Sequence, residues 1–381
     1  MKPLADGPRA PRRAVAKLSL AIVVACAGLA TVGACSRGDA PAAISPAGGR
    51  ASAAAASAAA SASAAPIEVS DDAGRRLRLA RPAQRIVAVS PHITELLFAA
   101  GAGAAVVGVD AWSDYPAAAR ALPRVGDLNA LDLERIVALK PDLIVIWGHG
   151  NSQRQLDVLA ALGLPYYIDE PRRLDDIPRS LERLGRLAGR ADAAQHAAAQ
   201  LRQALDELAA RARNVDPVAV FYQVWDAPLL TVNDRTLIGD VIRLCGGRNV
   251  FGHLPMQAPQ LNIEAVLEAD PAVILATRPG GGDAEPAAPP GSAASAAGQT
   301  LPDAWATQAA AVDPAFALWR RWPRLHAVRR SQLVSLPDDL ISRHGPRIVQ
   351  GARLLCAALE QVRTHSPQAD RGPRPAPRPP G

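Results

Sequence analysis

The sequence predicts an α/β fold with two lobes, mainly parallel sheets, one long rigid helix joining the lobes and a ligand cleft between them. From residue 67 onwards, short β-branched runs alternate with amphipathic helices, a pattern typical of parallel sheets covered on both faces. Residues 132–147 also match residues 262–277 without a gap. Each segment has an Asx residue, a glutamate two positions later, a short helix, a proline and a strand. We therefore expect the two segments to be equivalent elements of two lobes.

A third observation is the uninterrupted run of helix-forming residues at 191–213. At 1.5 Å per residue this helix would be about 35 Å long, which suits a strut between two lobes. It separates a first lobe at 67–190 from a second lobe at 214–365. The strands expected in the first lobe are residues 85–90, 105–110, 143–148 and 165–169, and those expected in the second lobe are residues 218–224, 272–277 and 333–337.

Three segments of the 381-residue chain are nearly all alanine, serine, proline, glycine and arginine: residues 1–66, 279–300 and 366–381. We interpret them as an export signal with its linker, a low-complexity insertion and a disordered tail. Residues 1–34 and the tail together account for the formal net charge of +6, since residues 1–34 have five basic residues against one acid and the tail has three arginines against one aspartate. The neutral remainder lacks the basic surface that nucleic-acid binding requires.

Residues 1–35 have the pattern of an exported lipoprotein. A basic segment precedes an apolar run at 18–32, which is too short for a comfortable membrane span and leads directly to Val32-Gly33-Ala34-Cys35. This motif resembles a bacterial lipobox, in which the cysteine is acylated and becomes the mature N-terminus. We expect a lipid anchor at Cys35 and a flexible Ala/Ser-rich linker at 36–66. An ordinary signal peptide with a chance cysteine is the alternative.

Two of the four cysteines remain for the folded part of the chain. Cys26 lies in the apolar run and Cys35 would carry the lipid, which leaves Cys245 and Cys356. In an oxidising compartment such a pair is expected to form a disulfide, closing a loop of roughly 110 residues. Two buried free thiols are the alternative, and the spacing of the cysteines matches no metal site.

Four stretches resemble a known family: residues 85–96, 112–116, 133–143 and 244–249. They are similar to the cobalamin-binding proteins of vitamin B12 ABC importers, in the helical-backbone class (class III) of substrate-binding proteins. The resemblance covers about residues 84–365, apart from the insertion. It implies the two-lobe fold, pairing of Cys245 with Cys356, capture of cobalamin in the periplasm or cell envelope, and delivery to a permease dimer with its ATPase. Haem or an iron siderophore is the alternative cargo, because other members of the class bind those ligands.

Three tryptophans are candidates for the walls of the ligand site: Trp112, Trp147 and Trp225. Each follows or ends a predicted strand, and parallel sheets bind ligands at the carboxyl ends of their strands. Broad apolar walls suit a corrinoid, which is a large, mostly apolar ring fringed with amides. Packing in the core is the alternative for each tryptophan. The resemblance implies that Trp112 contacts the corrinoid and that Asp339 and Arg343 lie in a ligand-contacting loop.

The chain departs from the family at two aromatic positions, where it has Leu128 and Ala258. The aromatic wall is therefore not built identically. We expect Tyr222, Gln223 and Trp225 to supply part of the replacement.

Glu134 and Glu264 occupy the same position in the two copies of the internal repeat. One explanation is that a glutamate at a helix start stabilises the helix dipole. The resemblance implies another, in which these two carboxylates, one on each lobe, dock onto arginines of the two permease subunits.

An enzyme and a receptor for a free metal ion are the remaining alternatives. Ser90, His92 and Asp110 suggest a hydrolase, but the chain has no Gly-x-Ser-x-Gly motif, and Ser90 is better explained as the cap of a helix that begins at Pro91. None of the seven histidines has His-x-x-x-His spacing. We therefore expect no catalytic residues, no catalytic cofactor and no metal site.

Overall fold

The computed structural model describes residues 66–127, 129–148, 153–278 and 313–365, which belong to one compact unit. Cys35, the linker, Leu128, the insertion at 279–300 and the tail lie outside the described residues. Among the residues described, no helix has the length and apolar character needed to cross a membrane.

The first lobe is built around a parallel four-stranded sheet. Its strands are β1 (Ile67–Ser70), β2 (Arg76–Leu79), β3 (Ile86–Ala88), β4 (Val106–Val109), β5 (Leu143–Trp147) and β6 (Tyr166–Asp169). Its helices are α1 (Pro91–Ala99), α2 (Leu133–Ala138), α3 (Gln153–Ala161) and α4 (Asp176–Leu187). β1 and β2 form an antiparallel hairpin, and the other strands lie parallel in the order β4-β3-β5-β6. The central strands β3 and β5 are buried along nearly their whole length, which explains their continuous apolar sequences.

One long helix, α5 (Ala191–Arg211), follows the first lobe and confirms the helix predicted at 191–213. It packs against α4 of the first lobe. A Cβ atom on Gly185 of α4 would collide with Ala194, so glycine allows the two helices to approach closely. The buried residues of α5 recur every three or four positions and form one face: Ala194, Ala198, Leu201, Leu205 and Leu208.

The second lobe repeats this architecture. Its strands are β7 (Val218–Gln223), β8 (Trp225–Asp226), β9 (Leu229–Leu230), β10 (Gly247–Asn249), β11 (Val273–Arg278) and β12 (Leu333–Pro337). Its helices are α6 (Leu237–Leu244), α7 (Ile263–Ala269), α8 (His326–Arg329), α9 (Asp338–Ile341) and α10 (Ile348–His365). β8 and β9 form a hairpin, and the other strands lie parallel in the order β10-β7-β11-β12. Helix α5 contacts α6 and α10, so it packs on both lobes.

The structure confirms that the internal repeat marks equivalent elements. Without the hairpins, both sheets have the same strand order, and β5 and β11 each lie third along the chain within their sheet. The helices before these strands begin alike. Asp132 accepts a hydrogen bond from the backbone N–H of Arg135 at 2.9 Å, and Asn262 accepts one from that of Ala265 at 3.0 Å.

Two local features differ from the sequence predictions. Strand β10 was not expected, because Gly-Arg-Asn has little β propensity and the strand forms by pairing at the edge of the sheet beside β7. Ser90 occupies the N-cap position of α1 as predicted, but its side chain makes no capping hydrogen bond. The Ser90 hydroxyl lies 2.7 Å from Nδ1 of His92 instead.

Cys245 and Cys356 form a disulfide, as predicted, between residues 111 positions apart. The bond joins the C-cap residue of α6 to the middle of α10. Both helices belong to the second lobe, so the crosslink restrains this lobe and not the distance between the lobes.

Replacing both cysteines by serine should lower the free energy of unfolding by at most about 4–5 kcal/mol, because the unfolded chain regains the entropy of a long loop. Urea unfolding of the double variant and of the parent, with and without reductant, measures this. Reduction should shift the midpoint of the parent only. Equal midpoints for oxidised and reduced parent would contradict a stabilising role for the bond.

Candidate ligand-binding site

A cavity of about 350 Å3 lies between the two lobes. The first lobe contributes Trp147 at the end of β5 and residues 170–172 just after β6. The second lobe contributes Tyr222 of β7, Val224 and a segment after α9 that includes His344. The carboxyl ends of both sheets therefore face one space, which is where such sheets bind ligands. The volume lies at the lower end of the range for small-molecule pockets, about 300–1,000 Å3.

The three candidate tryptophans occupy different environments. Trp147 lines the cavity, and its ring lies edge-on to His92 at 5.5 Å and to His344 at 5.9 Å between ring centroids. Trp112 and Trp225 are 69% and 59% exposed, and neither lines the cavity. The alternative of core packing is therefore wrong for Trp112 and Trp225. The structure brings only Trp147 of the three into the cavity wall.

The fully buried Trp319 explains why Gln223, which was expected in the wall of the site, lies in the core instead. Trp319 packs in the core of the second lobe and donates from Nε1 to Oε1 of Gln223 at 2.5 Å. Gln223 also donates to the carbonyl of Ala315 at 2.9 Å. The expectation that Gln223 helps replace the missing aromatic wall is wrong, because its amide is occupied in the core. Tyr222 and Ala258 do line the cavity.

Arg343, predicted to contact ligand, reaches from the second lobe to two carboxylates of the first. Its Nη1 donates to Oε1 of Glu95 at 3.2 Å and to Oδ1 of Asp114 at 2.6 Å. Burial alone would raise the pKa of Asp114, but the hydrogen bond and charge of Arg343 outweigh it and lower the pKa below its usual value. Arg343 is thus held in place before any ligand enters.

Arg347 makes a second bridge to the same glutamate. Its Nε and Nη2 donate to the two carboxylate oxygens of Glu95 at 3.0 and 2.7 Å, and its Nη1 donates to Asp339 at 3.0 Å. The guanidinium also lies 4.2 Å from the ring centroid of Tyr115. Asp339, the other residue predicted in the ligand-contacting loop, therefore takes part in an interlobe network of ion pairs.

Sequence reasoning missed Glu95 and Arg347. The sequence did contain a sign of Glu95, because this acid stands among the apolar residues Ile93, Leu96 and Leu97 on the buried part of α1. A charged residue at such a position requires a paired cation. No local pattern identifies the cation, since Arg347 is 252 residues away in sequence.

Glu134 and Glu264 lie in the first turns of α2 and α7, as predicted, and both side chains are exposed. Each helix leads back into a strand whose carboxyl end faces the cavity. The first turns therefore lie on the cleft side of their lobes, although neither glutamate lines the cavity. This position suits contact with a partner that accepts the contents of the cleft.

Comparison with known proteins identifies the family. Residues 86–340 match the model of the periplasmic binding protein family. The chain belongs to that family. Vitamin B12-binding proteins of Yersinia pestis and Yersinia pseudotuberculosis are 34% identical to it over 285 residues, which is 75% of this chain and 89% of each relative.

Solved structures agree with this assignment. BtuF of Vibrio cholerae, a periplasmic vitamin B12-binding protein, gives a TM-score of 0.61 at 31% identity over 74% of this chain and 98% of that chain. The periplasmic heme-binding protein RhuT from Roseiflexus sp. RS-1 gives a TM-score of 0.58 at 22% identity over 73% and 98%. At that identity the likeness to RhuT shows the fold alone. The chain is therefore a periplasmic binding protein of an ABC importer with the predicted two-lobe fold, and it is not an enzyme.

A buried polar cluster lies beneath Trp147 in this periplasmic binding protein. The Nε2 atom of His92 lies 3.9 Å from Oδ2 of Asp169 at the end of β6, and both side chains are almost inaccessible to solvent. Burial, together with the charges of His344 and Arg343, lowers the pKa of His92 well below its usual value. His92 is therefore neutral at physiological pH.

Burial has the opposite effect on the partner, since it raises the pKa of Asp169 to about 7 against a weaker lowering effect of Ser180. The hydrolase alternative fails here too. Ser90 is buried, and Oδ1 of Asp110 accepts a hydrogen bond from the Ser113 hydroxyl at 2.5 Å instead of pairing with His92. The cluster lies behind Trp147 and His344 of the cavity wall and exposes no nucleophile.

The raised pKa of Asp169 predicts that the free energy of unfolding depends on pH. Between the usual pKa near 4 and the folded value near 7, the folded state retains a proton that the unfolded state has lost, so stability falls as pH rises. Asp169→Asn has no proton to lose. We expect the variant to gain stability relative to the parent by roughly 1.4 kcal/mol per pH unit between pH 5 and 7.

Urea unfolding of both proteins at several pH values measures this difference, and the contribution of His92 is common to both. The matched control is Asp206→Asn on the exposed face of α5, which should show no trend. A difference between parent and Asp169→Asn that is constant from pH 5 to 8 would contradict the raised pKa.

Proposed function

We propose that this protein captures cobalamin, or a related corrinoid, between its lobes and delivers it to the permease of an ABC importer. The observation that carries the proposal is the cavity at the carboxyl ends of both sheets, with Trp147 in its wall, in a chain that is 34% identical to vitamin B12-binding proteins. Cobalamin is then a transported ligand and not a catalytic cofactor.

The hydrogen-bond and ion-pair partners of the arginines around the cleft favour a ligand whose peripheral groups are uncharged. Haem carries propionates, and carboxylates are bound best by unpaired cations, whereas the side-chain amides of a corrinoid need hydrogen bonds and no net charge. In the part of the chain that the structure describes, two cleft arginines are paired with carboxylates, Arg172 with Glu170 and Arg343 with Glu95 and Asp114. Arg235 donates to the neutral carbonyl of Pro255. This pattern favours a corrinoid over the alternatives of haem and a siderophore.

The exposed tryptophans supply apolar surface next to the cavity. Trp112 follows β4 and Trp225 follows β7, so both lie at strand ends of the kind that Trp147 also occupies. We propose that Trp112, Trp147 and Trp225 contact the faces of the ring and that Asp339 and Arg343 hydrogen-bond to its amides.

Attachment to the membrane is a further part of the proposal. The motif ending at Cys35 follows a basic segment and a short apolar run, and a hydrophilic linker separates it from the first strand at Ile67. We propose that Cys35 carries lipid and that residues 36–66 tether the binding lobes to the cell envelope.

Delivery requires a docking surface on both lobes. Glu134 and Glu264 are exposed at equivalent positions on the cleft side of the two lobes. We propose that they meet arginines on the two permease subunits.

Cobalamin should bind the parent and quench its tryptophan fluorescence, and Trp147→Ala should weaken binding by roughly tenfold. The reason is that one face of an indole ring buries apolar area worth on the order of 1–3 kcal/mol. Difference spectroscopy with cobalamin and, separately, with haemin measures both affinities. Trp322→Ala is the control, since Trp322 is also a partly exposed tryptophan but does not line the cavity.

Binding of haemin without binding of cobalamin would overturn the choice of cargo. Unchanged cobalamin affinity in folded Trp147→Ala would overturn the assignment of the site.

Charge reversal at both Glu134 and Glu264 to arginine should abolish uptake while cobalamin affinity stays within about twofold. Like charges would then face each other across the contact with the permease, a penalty of several kcal/mol. Glu207→Arg with Glu360→Arg is the control pair, because these exposed glutamates on α5 and α10 give the same change in net charge. Lost affinity with normal uptake by saturated protein would place the carboxylates in the cleft instead.

A further inference from the structure

The interlobe network contains more negative than positive charge. Its three carboxylates are Glu95, Asp114 and Asp339, and its two guanidinium groups are those of Arg343 and Arg347. With every group ionised, the network has a net charge of −1. The two arginines are partly buried, with side chains 20% and 13% exposed, so solvent screens these charges only in part.

Arg343 is the arginine of this network that adjoins the cavity lining in sequence. It stands between Ser342 and His344, which both line the cavity, and it contacts both Glu95 and Asp114. Asp114 is 44% exposed, whereas Glu95 is 1% exposed and cannot move into water without unfolding α1. A carboxylate on an incoming ligand must therefore compete with two fixed carboxylates for one guanidinium.

We propose that Glu95 and Asp114 determine the class of cargo by neutralising Arg343, so that the cleft accepts a macrocycle fringed with neutral amides and rejects one fringed with carboxylates. The inference rests on the proposed function, because it takes the cargo to be a macrocycle that contacts the Arg343 loop. An amide oxygen accepts a hydrogen bond from a guanidinium that is already paired, at no electrostatic cost. A carboxylate at the same place meets net negative charge in a region of low dielectric.

Close packing around Glu95 keeps this arrangement fixed. A Cβ atom on Gly345 would lie 3.1 Å from Oε2 of Glu95, so the backbone after His344 rests against the carboxylate. Arg347 holds both oxygens of Glu95 at the same time. The carboxylate is therefore held fixed against Arg343 and Arg347 and does not rotate away when ligand binds.

The test compares ligands that differ in charge but little in shape. Cobalamin is compared with a cobalamin monocarboxylate, in which one side-chain amide is hydrolysed, and with haemin, which carries two propionates. Asp114→Asn removes one negative charge at a partly exposed position, where loss of the fold is not expected. The affinity ratio of monocarboxylate to cobalamin should rise about tenfold, the ratio of haemin to cobalamin should rise at least as much, and added salt should reduce both gains.

Glu95→Gln is the second variant and should raise the same ratios further. The matched control is Glu182→Gln, which removes one negative charge from the exposed pair with Arg202 on the same lobe and should leave both ratios unchanged. Circular dichroism and thermal unfolding show which variants are folded. A merely structural role for Glu95 and Asp114 would weaken every ligand alike and would not raise an affinity.

Unchanged ratios in folded Asp114→Asn would overturn the proposal, and so would an equal rise in Glu182→Gln, since the effect would then come from net charge alone. Failure of the parent to bind cobalamin would overturn the proposed function instead. In that case the affinity for haemin, compared between the parent and the variants, would still show whether removing a carboxylate favours a ligand that carries carboxylates.

Discussion

The buried carboxylate of Glu95 is the constraint on which the arrangement of the cleft depends. Removing a charge from water costs several kcal/mol unless cations and hydrogen bonds replace the water. The required cations, Arg343 and Arg347, come from the other lobe, 248 and 252 residues further along the chain. The first lobe is therefore complete only when the second lobe is in place, and the same contact positions Arg343 at the edge of the cavity.

Other contacts join the lobes away from the Glu95 network. Helix α5 packs on α4 of the first lobe and on α6 and α10 of the second. Arg173, shortly after β6, pairs with Asp240 of α6 at 2.5 Å, and Asp240 also accepts a hydrogen bond from the backbone N–H of Leu174 at 3.2 Å. The lobes are therefore joined by helix α5, by the ion pair of Arg173 with Asp240 and by the Glu95 network. The side chains at the edge of the cleft are therefore positioned by contacts that both lobes share.

The fold followed from the sequence because its signals are local and periodic. The alternation of apolar runs and helices predicted the parallel sheets, and the repeat at 132–147 and 262–277 predicted that the two lobes are equivalent. Strand β10 was missed because pairing with β7, and not its own residues, makes it a strand. The Glu95 network was missed for the same reason, since its partners meet only in the folded protein. Gln223 was misassigned because its neighbour Tyr222 does face the cavity, and adjacent strand residues point to opposite faces.

Several residues that break the ordinary rules of burial lie around the cleft. Glu95, His92 and Asp169 are ionisable and almost inaccessible to solvent, while Trp112 and Trp225 are large apolar side chains left in water. The described structure shows no hydrogen-bond partner for Nε2 of His92 or for either carboxylate oxygen of Asp169. Each such group costs about 1–3 kcal/mol. A sequence selected for stability alone would replace them. Residues of this kind near a cavity are the pattern expected when binding, and not folding, fixes the identity of a residue.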